Sequence, residues 1–137
     1  MKKVLNILLL TIVIAMGCHP YTCKNIPDNF PSSESAIGLI EKSTFPFKDE
    51  VKISDTASCW IPSLFSYFTS ANYYSCDEKI GYFIFTVSRG STYIRKGIPL
   101  EIWRRFKDTS AKGPYFETNI DNKYKGINIR NKINSGN

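Results

Sequence analysis

The chain has 137 residues, with 18 Lys+Arg against 12 Asp+Glu for a formal net charge of +6, and 42% of its residues are hydrophobic. That length makes one domain of ordinary size, and the apolar share excludes a disordered or acidic solvating chain. The single histidine, His19, excludes a histidine-based triad inside a folded domain and any multi-histidine metal site.

Met1-Lys2-Lys3 is a short cationic start, and Val4 to Met16 is an apolar run broken only by Asn6 and Thr11. This is the length of a signal-peptide apolar region, shorter than the roughly 20 residues that span a bilayer, so residues 1–17 are predicted to direct export. The run ends in Ala15-Met16-Gly17-Cys18, which resembles a bacterial lipobox. That resemblance implies that Cys18 becomes the new N-terminus, carries diacylglycerol and anchors the protein in the cell membrane or outer membrane. The same residues satisfy the small-x-small rule of ordinary signal peptidase, which would cut the same bond and leave a secreted or periplasmic chain. Residues 18–33, with Pro20, Pro27 and Pro31, are predicted to form a proline-rich, non-helical tether.

An exported chain can pair its cysteines. With Cys18 acylated, Cys23, Cys59 and Cys76 remain as disulfide candidates, and an odd number leaves one thiol over. A C-x-x-C spacing is missing, since Cys18 and Cys23 are five apart, which leaves redox and metal-centre chemistry without support.

Residues 34–57 are predicted to be an irregular extension containing one short helix. Ser32 or Ser33 caps that helix, which runs to Ser43 with Ala36, Ile37 and Ile40 at helical spacing. Val51-Lys52-Ile53 alternates briefly like a strand before Asp55 and Thr56 turn the chain. A first strand, bent or ended by Pro62, is expected over 58–68, followed by a polar loop from Thr69 to Lys79. Tyr82 to Val87 alternates cleanly, with Phe83, Phe85 and Val87 on one side and Tyr82, Ile84 and Thr86 on the other. Ser88-Arg89-Gly90-Ser91 reads as a hairpin turn, and Thr92 to Lys96 as the returning strand. Pro99 suits the first position of a helix whose stripe is Leu100, Trp103 and Phe106, with Gly113 closing it. Pro114 opens a second short helix carrying Phe116 and Ile120, and residues 126–137 read as a flexible polar tail.

Several of these residues stand in a recognisable order: Gly90-Ser91-Thr92-Tyr93, Gly97-Ile98-Pro99, Trp103, Gly113-Pro114-Tyr115-Phe116, then Ile120 and Tyr124. In that order and spacing, residues 58–125 resemble the KTSC domain, a small module named for its occurrence at the C-terminus of some lysyl-tRNA synthetases and also found alone in bacterial proteins. Three positions depart from the family: its Tyr-x-Tyr becomes Tyr93-Ile94-Arg95, a serine becomes Ala111 and an asparagine becomes Glu117. The resemblance implies no activity, RNA binding being only a suggestion for the family. Pattern and resemblance together predict an α+β fold: a three-stranded antiparallel meander packed by one main helix and a short second one. On that placement Cys59 lies about 26 Å along its strand from the loop holding Cys76, so Cys23 is expected to pair with one of the two.

The charge is unevenly placed. Residues 18–78 carry four basic and eight acidic side chains, −4, whereas residues 79–137 carry twelve and four, +8. Tyr93, Arg95, Lys96, Arg104, Arg105 and Lys112 are therefore the candidate surface for anions or single-stranded nucleic acid, where phosphate neutralisation joins base stacking. Glu101–Arg105, Arg104–Asp108 and Asp108–Lys112 are each four apart, so the same helix can instead compensate itself, and Trp103 falls on its apolar stripe. Export favours anionic envelope polymers or a protein partner over RNA. No catalytic constellation is recognisable: G-x-S-x-G is missing, Cys76 has no histidine beside it, and Asp49-Glu50 and Asp77-Glu78 are adjacent loop-type carboxylates. The expected role is a membrane-anchored, non-enzymatic binding or accessory module without a cofactor, with RNA binding and an envelope-acting hydrolase as alternatives.

Overall fold

A computed structural model describes residues 22–27, 29–53, 59–124 and 126–127. The expected signal segment, Cys18, His19, the turn expected at Asp55-Thr56 and the residues beyond 127 lie outside the described residues. The fold is α+β and antiparallel, but the sheet is larger than a three-stranded meander. Strands β1 (Phe47–Lys52), β3 (Ser66–Ser75), β4 (Ile80–Val87), β5 (Thr92–Pro99) and β6 (Gly126–Ile127) lie in the order β1-β3-β4-β5-β6, and the two-residue β2 (Trp60–Ile61) pairs with β3. Three α-helices accompany them: α1 (Ser33–Lys42), α2 (Leu100–Asp108) and α3 (Lys112–Phe116).

Helix α1 begins where the sequence predicts, the Ser32 hydroxyl accepting the Ser35 N–H at 3.1 Å. The turn between β4 and β5 also follows prediction, with Gly90 at φ +80 and its N–H donating to the Val87 carbonyl at 2.8 Å.

Elsewhere the chain is more regular than expected. The polar stretch from Thr69 is the second half of β3, because Ala71, Tyr73 and Ser75 all point into the interior while Ser70, Asn72 and Tyr74 take the other face. The strand expected over 58–68 is instead the short β2, ended by a 3-10 turn at Pro62–Leu64, and Phe65 turns the chain into β3 in the left-handed region, φ 48. The extension is not irregular, since Phe47–Lys52 forms an edge strand of the main sheet. Gly126 and Ile127 also belong to the sheet, pairing with Arg95 and Ile94.

The first helix of the basic half starts at Leu100, with Pro99 one position earlier than expected, as its N-cap and the last residue of β5. It ends at Asp108, so Gly113 does not close it. Gly113 lies inside α3, where a Cβ would overlap the backbone carbonyl of Trp60; glycine is needed for that close crossing over β2.

The sheet is covered on both faces. On one, α2 and α3 close a core of Phe68, Phe83, Phe85, Trp103, Phe106 and Phe116, each at most 1% exposed and arranged mainly edge-to-face. On the other, Ala36, Ile37 and Ile40 of α1 pack with Phe45 against Ile84 of β4 and Ile94 of β5. The two-sided alternation of Tyr82–Val87 thus has a helix on each side to satisfy it.

Edge strand β1 is tied to α2 by Asp49, whose carboxylate accepts the Trp103 indole N–H at 2.9 Å and pairs with Lys107 at 2.6 Å. Burial pushes the Asp49 carboxyl up, but the hydrogen bonds from Lys107 and Trp103, the Lys107 charge and the Glu50 N–H outweigh it and hold it below the usual carboxylate range. A carboxyl that ionises at lower pH when folded contributes its full stability above about pH 4 and loses it as pH falls through the folded value. Urea titrations across pH should therefore show Asp49→Asn least stable relative to wild type near neutrality, the gap closing in acid; a gap independent of pH would contradict this role.

Candidate functional site

The six residues expected to make a basic and aromatic surface are not brought together. Tyr93 is half-buried and stacks on Phe85, with ring centroids 5.3 Å apart. Arg95, one of the expected departures from the KTSC pattern, is 4% exposed. Its guanidinium lies against the Phe85 and Phe116 rings, pairs with Asp121 at 2.7 Å and donates to the Ile94 carbonyl. It fills an interior position as an aromatic ring would, with a charge that Asp121 compensates.

Lys112 is also withdrawn from the surface. Its ammonium donates to the carbonyls of Phe106, Lys107 and Thr109 at 2.7–3.1 Å, satisfying the C-terminal end of α2 in place of an ion pair with Asp108. Burial lowers its pKa, opposed by Cys59 and Asp108. Arg105 pairs with Glu101 at 2.6 Å, as the i,i+4 spacing predicts. Arg104 is exposed on α2, whereas Lys96 is exposed on the α1 side of the sheet, so the two cations do not share a face. Trp103 is fully buried, a core residue as its place on the stripe predicts.

The cysteines divide cleanly. Cys23 and Cys76 form a disulfide, with Cα atoms 5.6 Å apart across 53 residues. Cys59 is buried in the aromatic core beneath α2 and α3. Cys59 precedes Trp60, which pairs with Tyr67, nine residues before Cys76, so the bridge Cys59–Cys76, expected to be disfavoured, is opposed by a real separation, although that stretch is strand and not loop.

The bridge borders a groove of about 580 Å³ at the open end of the sheet's α1 face. Phe45, Tyr74 and Tyr82 wall it, with their rings in contact through Phe45, and Ile80 stands at its mouth, 54% exposed. Lys96 and Asp77 also line it. The Asp77 carboxylate is engaged by the turn, accepting the N–H groups of Lys79 and Ile80 at 2.8 and 3.1 Å, and these hydrogen bonds lower its pKa. Burial, reinforced by Glu41 and Glu50, raises that of Tyr74, which stays neutral at pH 7. Behind it in the other face, burial raises Tyr73 to about 12, against a hydrogen bond with Ser75 and with a smaller push from Asp77; its hydroxyl donates to the Ile98 carbonyl.

Spacing alone could not have located this groove, because it assembles Cys23 of the expected tether and Phe45 of the extension with the ends of three strands. Among the described residues no group of three or more His, Cys, Asp and Glu side chains converges in a way that could hold a metal ion, and no helix is long and apolar enough to cross a membrane. No family model, no curated protein and no solved structure matches the chain.

Proposed function

We propose that this protein is an exported lipoprotein, anchored through acylated Cys18, whose domain is a KTSC-like, non-enzymatic binding or accessory module of the cell envelope. The observation that carries this reading is the Cys23–Cys76 bridge. It joins the segment before α1 covalently to the end of the main sheet, a staple that persists in an oxidising compartment and not in a reduced cytosol. The basic residues favour an accessory role over RNA binding, since Arg95 and Lys112 are committed to internal partners and Arg105 to Glu101.

The KTSC reading is supported by the structural work its residues do. The succession β4, glycine turn, β5, Pro99 and α2 follows the quoted order. Trp103, Phe116 and Ile120 are fully buried, and Gly113 makes the close crossing. The departures are also accommodated: Arg95 is neutralised by Asp121, and Glu117 accepts the Ser63 N–H at 2.9 Å. Labelled palmitate supplied to the native host should be incorporated into the wild-type chain and lost in Cys18→Ser. Equal labelling of both, or of neither, would overturn the anchor.

A further inference from the structure

We infer that the end of the sheet carrying the Cys23–Cys76 bridge is held against the phospholipid surface in which the chain is anchored, an inference that rests on acylation of Cys18. Sequence alone gives a tether running from 18 to 33, up to about 50 Å when extended. The fold removes most of it. Ile26 and Phe30 pack against the α1 cluster, Ser32 caps α1, and Cys23 is bonded to the end of β3. Five Cα steps then separate Cys18 from a covalently fixed point, a reach of about 18 Å at most. A domain stapled so near its acyl chains presents one end to the headgroups.

That end has side chains suited to the position. Ile80 is exposed beside the bridge, and Tyr74 and Tyr82, which line the same groove, combine an apolar ring with a polar hydroxyl, the composition favoured at membrane–water boundaries. Lys24, Lys79 and Lys96 are exposed at the same end, beside the carboxylates of Asp77 and Glu78, and are placed to meet anionic headgroups. Among the described residues the other strongly exposed large apolar side chain, Phe65 at 71%, lies beyond the opposite end of β3. Ten strand residues place it about 30 Å away, out of reach of the same surface.

The test uses the full lipidated chain in vesicles of brominated phosphatidylcholine with phosphatidylglycerol. Tryptophan is introduced separately as Ile80→Trp and Phe65→Trp, and the parent chain supplies the Trp60 and Trp103 background. Emission from Ile80→Trp should fall roughly twofold on brominated lipid, and Phe65→Trp should lose no more than the parent, given about 30 Å between the sites. In the unsubstituted chain a water-soluble amine reagent should label Lys79 several-fold more slowly on vesicles than in detergent, while Lys52, nearer the other end of the sheet, is unchanged. Equal quenching at both sites, or equal labelling of both lysines, on a chain whose mass proves Cys18 acylated would overturn the orientation alone. An unacylated mature chain would overturn the anchor and the orientation together.

Discussion

Replacing both bridge cysteines, Cys23→Ser with Cys76→Ser, is expected to lower stability by about 4 kcal/mol, because the bond closes a loop of 53 residues whose unfolded entropy it restricts. The effect should be uneven. The aromatic core between the sheet and α2 and α3 makes no use of the bond. The opposite layer does: α1 offers the sheet only Ala36, Ile37 and Ile40, with Phe45 beyond its end. Without the bridge, residues 22–46 should become the first site of proteolysis and of amide exchange, while the β4–β5 amides stay protected. Urea denaturation of oxidised, reduced and doubly substituted protein checks this. Coincident midpoints for all three would contradict it.

The second large effect is expected at the buried ion pair. Asp121→Ala leaves the Arg95 guanidinium inside the domain, its side chain 5% exposed, without its compensating charge, and should cost about 3 kcal/mol. Arg95→Met should cost less, because the carboxylate it abandons is 25% exposed and water can reach it, while the methionine stem keeps contact with Phe85 and Phe116. The ordering of the two variants is the informative quantity. Equal losses, or a larger loss for Arg95→Met, would mean that ring packing rather than charge compensation holds this position.

The elements legible in the sequence were those in which one signal dominated. Tyr82–Val87 alternates with large side chains throughout, and Leu100, Trp103 and Phe106 mark one face of a helix, so each element announced both its type and its buried side. Strand β3 was hidden because its interior positions after Phe68 are Ala71, Tyr73 and Ser75, and the serines and asparagine between them are also turn formers. Strand β1 was legible only at its end, Val51-Lys52; its start was hidden by Asp49 in an inward position, which is tolerated because Trp103 and Lys107 arrive from α2, fifty-four and fifty-eight residues further on. Gly113 has the residue type of a helix stop, yet it serves a long-range approach to Trp60 that no local pattern encodes.

The candidate surface was less legible for the same reason. Six basic and aromatic residues close in sequence suggested a face, but adjacent strand residues point to opposite sides, and Arg95 and Lys112 turn inward to partners whose positions depend on the whole fold. The cysteines were legible as a set but not as a pairing. Which of the other two met Cys23 depended on β3 running unbroken to Ser75 and delivering Cys76 beside it.

The claim on which the rest depends is that the chain is exported, acylated at Cys18 and stapled through Cys23–Cys76. One intact-mass measurement on mature protein from its native host, before and after reduction with thiol blocking, tests it directly. The expected product is a chain that begins at Cys18, carries the mass of a lipid adduct on that residue, and takes up two more blocking groups after reduction than before. A chain that retains Met1 to Gly17, one with no adduct, or one with no change on reduction would contradict it.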